Sequence, residues 1–310
     1  TELLLIYRTL TDQFGGTRYL GEFELAPGVP VLVFDRDGQG CLFAWNTNYH
    51  PEAPPAQSEF GLYLGKTPVE IDLFGNSKPL PMENGIGRIH LTNWPVFLSR
   101  VDSRMAMLRA SMKWTPAIVD ASVARQKVLL SFVNPFRIPI SGRLRFQLDE
   151  SQMNWGVDPV VFNFSLQPNQ LFQQEIYLKL PRNEISGRKE LTAVIAIDAD
   201  RAYSFSMPVP FEIELQGIDV SIFARRINQK DLLIQQVVTN NSEADTNLTS
   251  FIDFPDGDHQ ERSIQKLAPG SSTTKSFVFP NAEKWVGNYI RIGLQDPQGS
   301  RRVNYQIEIN

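Results

Sequence analysis

Leu166-Gln167-Pro168-Asn169-Gln170, followed at once by the alternating run Leu171 to Leu178, decides how this chain is read. A polar turn built on proline that opens into period-two alternation marks the end of one strand and the start of a half-buried one. The same arrangement returns near the C-terminus. There Leu267-Ala268-Pro269-Gly270-Ser271 precedes Thr274-Lys275-Ser276-Phe277-Val278-Phe279, an offset of 101 positions from Leu166 to Leu267. Each turn has an upstream companion, Val133-Asn134-Pro135-Phe136 for the first and Val238-Thr239-Asn240-Asn241 for the second. In both copies an apolar run ends at Asn, a polar break follows, and the Leu-x-Pro turn leads into a long alternating strand. Two copies of one β module are the simplest reading, and a period near ~100 residues is the size of an immunoglobulin-like sandwich, against the ~20–50 of solenoid repeats. Leu25-Ala26-Pro27-Gly28 also precedes a strand, but its surroundings do not repeat, so it is not a third copy.

Outward from the repeat, the rest of the chain is punctuated in the same way. Tyr19–Leu25, Val29–Phe34, Cys41–Trp45, Gly61–Leu64, Val69–Phe74, Arg88–Leu91 and Val96–Val101 are short apolar runs divided by Gly, Pro, Asn and Asp, enough for one more sandwich. Ahead of them, Leu3, Ile6 or Tyr7, Leu10 and Phe14 fall at helical spacing before Gly15-Gly16, which predicts a helix over 2–14. Residues 102–112 read as a helical turn or a connecting strand. Tyr203 to Leu215 reads as a strand interrupted at Pro208 and Pro210, hence on a sheet edge. The fold class expected is all-β: three tandem β-sandwiches at 1–112, 113–215 and 216–310, the last two immunoglobulin-like, with one short N-terminal helix.

With 310 residues, 42% hydrophobic and 21% charged, the chain is globular and each third can bury a core. A formal net charge of −4 with scattered Lys and Arg argues against nucleic acid as a partner. Cys41 is the single cysteine, so no internal disulfide forms and no spaced companions complete a zinc site. No apolar run approaches the ~20 residues of a membrane span. An opening of Thr1-Glu2-Leu3, without Met or a signal peptide, reads as an excerpt or a processed product.

Candidate chemistry is sparse. Asp35-Arg36-Asp37-Gly38-Gln39-Gly40 begins like a calcium loop, but the twelfth position is Asn46 where Glu is needed, so it reads as a hairpin turn. Asp256-Gly257-Asp258 reads likewise, and Gly85-Ile86-Gly87 lacks the third glycine of a dinucleotide fingerprint. His50, His90 and His259 stand in separate contexts without metal spacing, and no Gly-x-Ser-x-Gly elbow occurs. No catalytic residue, metal ligand or cofactor site is therefore assigned. Aromatic side chains remain, because sugar rings stack on exposed tryptophan. Of Trp45, Trp94, Trp114, Trp155 and Trp285, Trp45 reads as core, Trp94, Trp155 and Trp285 stand beside Pro, Asn or Lys where partial exposure is open, and Trp94 and Trp285 are the candidates for carbohydrate binding, against the plainer reading of core or inter-domain packing.

A family resemblance sharpens this. Val31-Leu32-Val33-Phe34, Leu42-Phe43-Ala44-Trp45-Asn46, Tyr63-Leu64-Gly65 and Val69-Glu70-Ile71-Asp72-Leu73-Phe74-Gly75-Asn76 resemble the β-sandwich that follows the catalytic (β/α) barrel of many bacterial glycoside hydrolases, with Arg88-Ile89-His90-Leu91 and Pro95-Val96-Phe97-Leu98 similar to its final hairpin. Residues 113–215, with Asn134-Pro135 and Asn154-Trp155-Gly156-Val157-Asp158-Pro159, are similar to NEW3-type immunoglobulin-like domains, and 216–310 to a CARDB-type module. The resemblance implies a core role for Trp155 and a non-catalytic C-terminal region of a larger, exported protein. Its partner would be an upstream barrel of the same polypeptide, with polysaccharide as a further partner, and its place secreted, periplasmic or at the cell surface. The alternatives are a stand-alone carbohydrate-binding protein and a structural or adhesive surface protein.

Overall fold

The computed structural model describes residues 2–52, 58–64, 68–83, 86–227, 230–255 and 257–309. Gly65, Gly85 and Asp256 of the motifs above lie outside them. The chain opens with helix α1 (Glu2–Phe14), followed by β1 (Arg18–Glu24), β2 (Pro30–Arg36), β3 (Gln39–Ala44), β4 (Glu59–Tyr63), β5 (Val69–Ile71), β6 (Ser77–Pro79), β7 (Met82–Glu83), β8 (Ile86–His90) and β9 (Val96–Val101). These form a six-stranded sheet, β1-β2-β3-β9-β5-β6, facing a smaller one, β4-β8-β7. Alternation decides which face each side chain takes. Val31, Val33, Leu42 and Leu98 point to the small sheet and meet Leu62, Ile89 and Leu91, whereas Phe34, Phe43 and Phe97 line the opposite face and receive Ile6, Leu10 and Phe14 of α1. The helix stops where predicted. Gly16 adopts φ 72°, and Arg36 donates to the last-turn carbonyls of Asp12 and Gln13 at 2.6 and 2.9 Å.

The open segment 102–112 is a second helix, α2 (Ser103–Ser111), whose N-cap Asp102 accepts from the Arg104 backbone N–H at 3.1 Å. Among the described residues two short α-helices thus accompany the strands where one was expected. Met, Ala and Leu are all strong helix formers, and the cap fixes the start. This helix belongs to two cores: Ala106 packs into the first sandwich, and Met105 and Leu108 into the second.

The second sandwich contains β10 (Lys113–Thr115), β11 (Ile118–Asp120), β12 (Gln126–Val133), β13 (Ile140–Gln147), β14 (Gly156–Asp158), β15 (Val161–Leu166), β16 (Leu171–Lys179), β17 (Gly187–Asp198) and β18 (Ala202–Glu214). The third contains β19 (Ile218–Arg226), β20 (Leu232–Asn240), β21 (Thr246–Asp253), β22 (His259–Leu267), β23 (Ser272–Phe279), β24 (Tyr289–Gln295) and β25 (Arg302–Glu308). Their topologies coincide. The sheet β18-β17-β13-β15 corresponds strand for strand to β25-β24-β21-β22, and β10-β12-β16 corresponds to β19-β20-β23. One expectation is corrected: β18 runs unbroken through Pro208 and Pro210, paired to Thr192 and Glu190 of β17. Its other flank is paired only at Glu212–Glu214 by β11, so both prolines lie where that flank carries no ladder and the missing N–H groups cost nothing.

The duplicated turns are fastened by one device. Asn134 is fully buried, and its Nδ2 donates to the carbonyls of Ile138, Leu166 and Gln167 at 3.1, 3.2 and 3.0 Å while its Oδ1 accepts from the Phe136 N–H at 2.9 Å. Asn240 repeats this with the carbonyls of Ala244 and Leu267 at 2.8 and 2.7 Å and the N–H of Ser242 at 2.9 Å. Backbone bonds complete each corner, Asn169 N to Asn134 O at 3.1 Å and Gly270 N to Asn240 O at 2.7 Å. The Leu-x-Pro turn is thus tied to the end of the strand before it, and φ of 59° at Asn169 and 70° at Gly270 explains why Asn and Gly stand there.

Candidate functional site

The junction between the first two sandwiches gathers a dense polar network. Its centre is Arg104, in the first turn of α2. The guanidinium grips Asp102 through two bonds, Nε to Oδ1 at 3.0 Å and NH2 to Oδ2 at 2.9 Å, and donates to Asp200 at 2.8 Å and the Tyr203 hydroxyl at 2.9 Å. Its carbon lies 4.8 Å from the centre of the Phe136 ring. The hydrogen bond to Asp102, followed by that to Asp200, drives the Arg104 pKa further up. The hydrogen bond from Arg104 in turn holds Asp200 below the usual carboxylate range. Around this network Tyr63 stacks on Phe205 at 5.4 Å between ring centres, Arg188 pairs with Glu24, and Arg109 covers Phe23 at 4.8 Å.

Beside the network a cleft of about 520 Å³ opens between the two sandwiches. The Asp35–Gly38 hairpin and Arg18 form one wall, the first turns of α2 the floor, and the Asn134 corner with Asn169 and Asp200 the other wall. The hairpin is as read from sequence: Arg36 pairs with Gln39, φ is 51° at Asp37 and 85° at Gly38, and Asp35 accepts from the Gly38 N–H at 3.3 Å. Among the described residues no three His, Cys, Asp or Glu side chains gather as metal ligands, and no helix is long and apolar enough to cross a membrane.

The tryptophans separate clearly. Trp114 and Trp155 are buried, donating to the Val209 carbonyl at 3.1 Å and to Glu184 at 2.7 Å. Trp45 is half-buried against Phe43. Trp94 is 58% exposed on the first sandwich, with Phe74 as its ring neighbour at 6.4 Å and an angle of 38°. Trp285 is half-buried on the third sandwich, packed against its core. The two sugar-binding candidates therefore occupy different sandwiches. Sequence reasoning assigned no part to Arg104, Asp200 or Tyr203, which come together from 96 and 99 positions apart. The one signal within reach was Asn at the same strand end in both copies.

A second polar cluster lies on the outer face of the third sandwich. His259 is held between Asp253 at 2.6 Å and Glu261 at 3.0 Å, and Arg291 and Arg302 face the same Asp253. Hydrogen bonds to Glu261 and then Asp253 raise the His259 pKa. A raised folded pKa gives stability that is complete below the unfolded value near ~6.5 and is lost as pH rises through the folded one. Denaturant midpoints are thus expected to fall between pH 6 and pH 8, and His259→Asn is expected to remove that part of the slope. With His259 44% exposed, the effect is below about 1 kcal/mol after solvent screening.

No family model matches the chain, and no curated protein matches it. Among solved structures it is similar to the Pseudomonas aeruginosa CupB2 chaperone, at 15% identity over 59% of this chain and 93% of that one, with a TM-score of 0.23. It is also similar to E. coli alpha-2-macroglobulin in its native conformation, at 11% identity, 90% of this chain, 24% of that one and a TM-score of 0.29. A third is Bacteroides uniformis beta-glucuronidase, at 12% identity, 67% of this chain, 29% of that one and a TM-score of 0.26. The chain spans less than a third of the last two. By its own geometry it is an all-β chain of tandem sandwiches, the last two immunoglobulin-like.

Proposed function

We propose that this chain, divided at 1–112, 113–215 and 216–310, is the non-catalytic C-terminal region of a larger, exported glycoside-hydrolase-like protein. Its sandwiches act as structural, spacer and interaction modules in carbohydrate processing. One observation carries the reading. Helix α1 sends Ile6, Leu10 and Phe14 to the sheet, while in its first two turns Leu3, Leu4 and Tyr7 are 76%, 68% and 70% exposed. The later turns carry the exposed Arg8–Asp12 ion pair, so the exposed apolar surface is confined to the start of the helix, and a clustered exposed apolar patch there fits a neighbouring domain of the same polypeptide. Phe74 and Trp94 form a second exposed apolar pair on the same sandwich, beside the loop at Gly75 that lies against Thr9 of the helix.

In the longer polypeptide, amide exchange across residues 2–14 is expected to be slower than in the 310-residue chain, and equal exchange would overturn the reading. The 310 residues alone are expected to release no aglycone from aryl glycosides, and robust turnover would overturn it equally. A second reading, saccharide binding through Trp94 with Trp285 as a further contact, is supported by the exposure of Trp94 beside Phe74. Retardation in polysaccharide gels that is lost on Trp94→Ala is its expected mark.

A further inference from the structure

We propose that the cleft between the first two sandwiches binds a neutral, hydroxyl-rich ligand, an oligosaccharide segment. This goes beyond the docking role of α1 and does not depend on it. The volume, about 520 Å³, falls within the roughly 300–1,000 Å³ of small-molecule sites. The lining carries Arg18, Arg104 and Arg137 against Asp35, Asp37 and Asp200, three charges of each sign. Such a balance attracts neither a strong anion nor a strong cation. What it offers is a set of planar groups, guanidinium, carboxylate and the Asn169 amide, each able to bond two adjacent hydroxyls as donor or acceptor. Among these, Arg18, Asp37 and Arg137 are exposed and make no side-chain hydrogen bond or ion pair among the described residues. Half-exposed Met107 and Ile138, which is 40% exposed, supply apolar surface for the C–H face of a sugar ring.

The duplication supplies an internal comparison. In the third sandwich the equivalent corner is closed by the linker: Asn241 donates from its backbone to Gly217 O at 2.8 Å and from its side chain to Asp219 at 2.6 Å. In the second sandwich the matching position is Pro135, which has no N–H to give, and Arg137 and Ile138 follow where the other copy has Glu243 and Ala244. One copy of the corner is sealed and the other opens onto the cleft.

The test is calorimetric titration of the 310-residue chain with cellotetraose, maltotetraose and mannotetraose as neutral probes and tetragalacturonate as the anionic control. At least one neutral probe is expected to bind. Arg137→Ala and Asp37→Asn are each expected to weaken it at least about tenfold, the loss of one charge-assisted hydrogen bond. Asn tolerates the left-handed backbone of position 37, and thermal midpoints confirm that both variants fold. Phe223→Ala, on the exposed face of β19 and outside the cleft, is expected to leave binding unchanged. Failure of every neutral probe to bind overturns the proposal, as does tighter binding of tetragalacturonate. Binding that survives both cleft variants but is lost on Trp94→Ala overturns it too and favours the aromatic surface instead. Amide exchange in α1 is untouched by any of these outcomes, so the docking role stands or falls separately.

Discussion

Replacing Asn134 with Ala is expected to cost about 4 kcal/mol of folding free energy, a large loss for one side chain with no charge. Three carbonyls lose the Nδ2 donor and the buried Phe136 N–H loses its acceptor, and no solvent reaches a side chain that is fully buried. Asn134→Asp separates this account from simple loss of packing. The isostere keeps the acceptor for Phe136 but turns a carboxylate oxygen toward three carbonyl oxygens, so it is expected to destabilise at least as much as Ala. Urea midpoints of the three proteins provide the check. An Asp variant near wild-type stability would show that the amide donor is not what holds the corner. Asn240→Ala is expected to act alike in the third sandwich, where Ala244, Leu267 and Ser242 are the partners.

The second large effect is expected at Arg104. Its removal leaves Asp200 and the Tyr203 hydroxyl without their shared donor and uncovers Phe136, while Asp102 keeps its capping bond to the backbone. Asp102 is 10% exposed but Arg104 and Asp200 are 34% and 45% exposed, so solvent screening holds the expected loss for Arg104→Ala to about 1–2 kcal/mol. Arg104→Lys is expected to fall between, since an ammonium cannot keep the two-point grip on Asp102. Acid should mimic the lesion. Asp200 has a lowered folded pKa, so its contribution is present above the unfolded value near ~3.9 and is lost as pH falls through the folded one. Limited proteolysis across residues 102–117, followed with urea midpoints, reads the junction directly. Unchanged protection in the Ala variant would place the adhesion elsewhere.

How far the sequence could be read follows from the range of each interaction. The strands and both Leu-x-Pro turns were legible because alternation, proline and Asn or Gly act within a few residues. The equivalence of the turns was legible because their spacing repeats. The role of Asn134 was not, since two of its acceptors lie 32 and 33 positions away, and the same Asn in an exposed turn would look identical. The Arg104 network is farther out of reach, joining α2 to β-strand neighbours across about a hundred residues. Pro208 and Pro210 misled in one respect only: they marked an unladdered flank correctly but not a break, because a strand can spare alternate N–H groups on one side. Segment 102–112 was ambiguous because its apolar residues serve two sandwiches, leaving neither a clean helical stripe nor strict alternation.

That double allegiance of α2 bears on mechanics. Domains joined through modest polar contacts usually swivel, but here a single apolar cluster runs from Met105 and Leu108 through the second sandwich to Leu248, Leu294 and Val303 of the third. At the far junction Arg301 grips Asp120 through two bonds of 2.9 Å, and Asn304 donates to the carbonyls of Arg182 and Glu184. Bending at either joint would pull side chains out of a continuous core. A load placed on α1 would therefore travel to β25 along a stiff strut, with torque carried through the joints and not dissipated at a hinge.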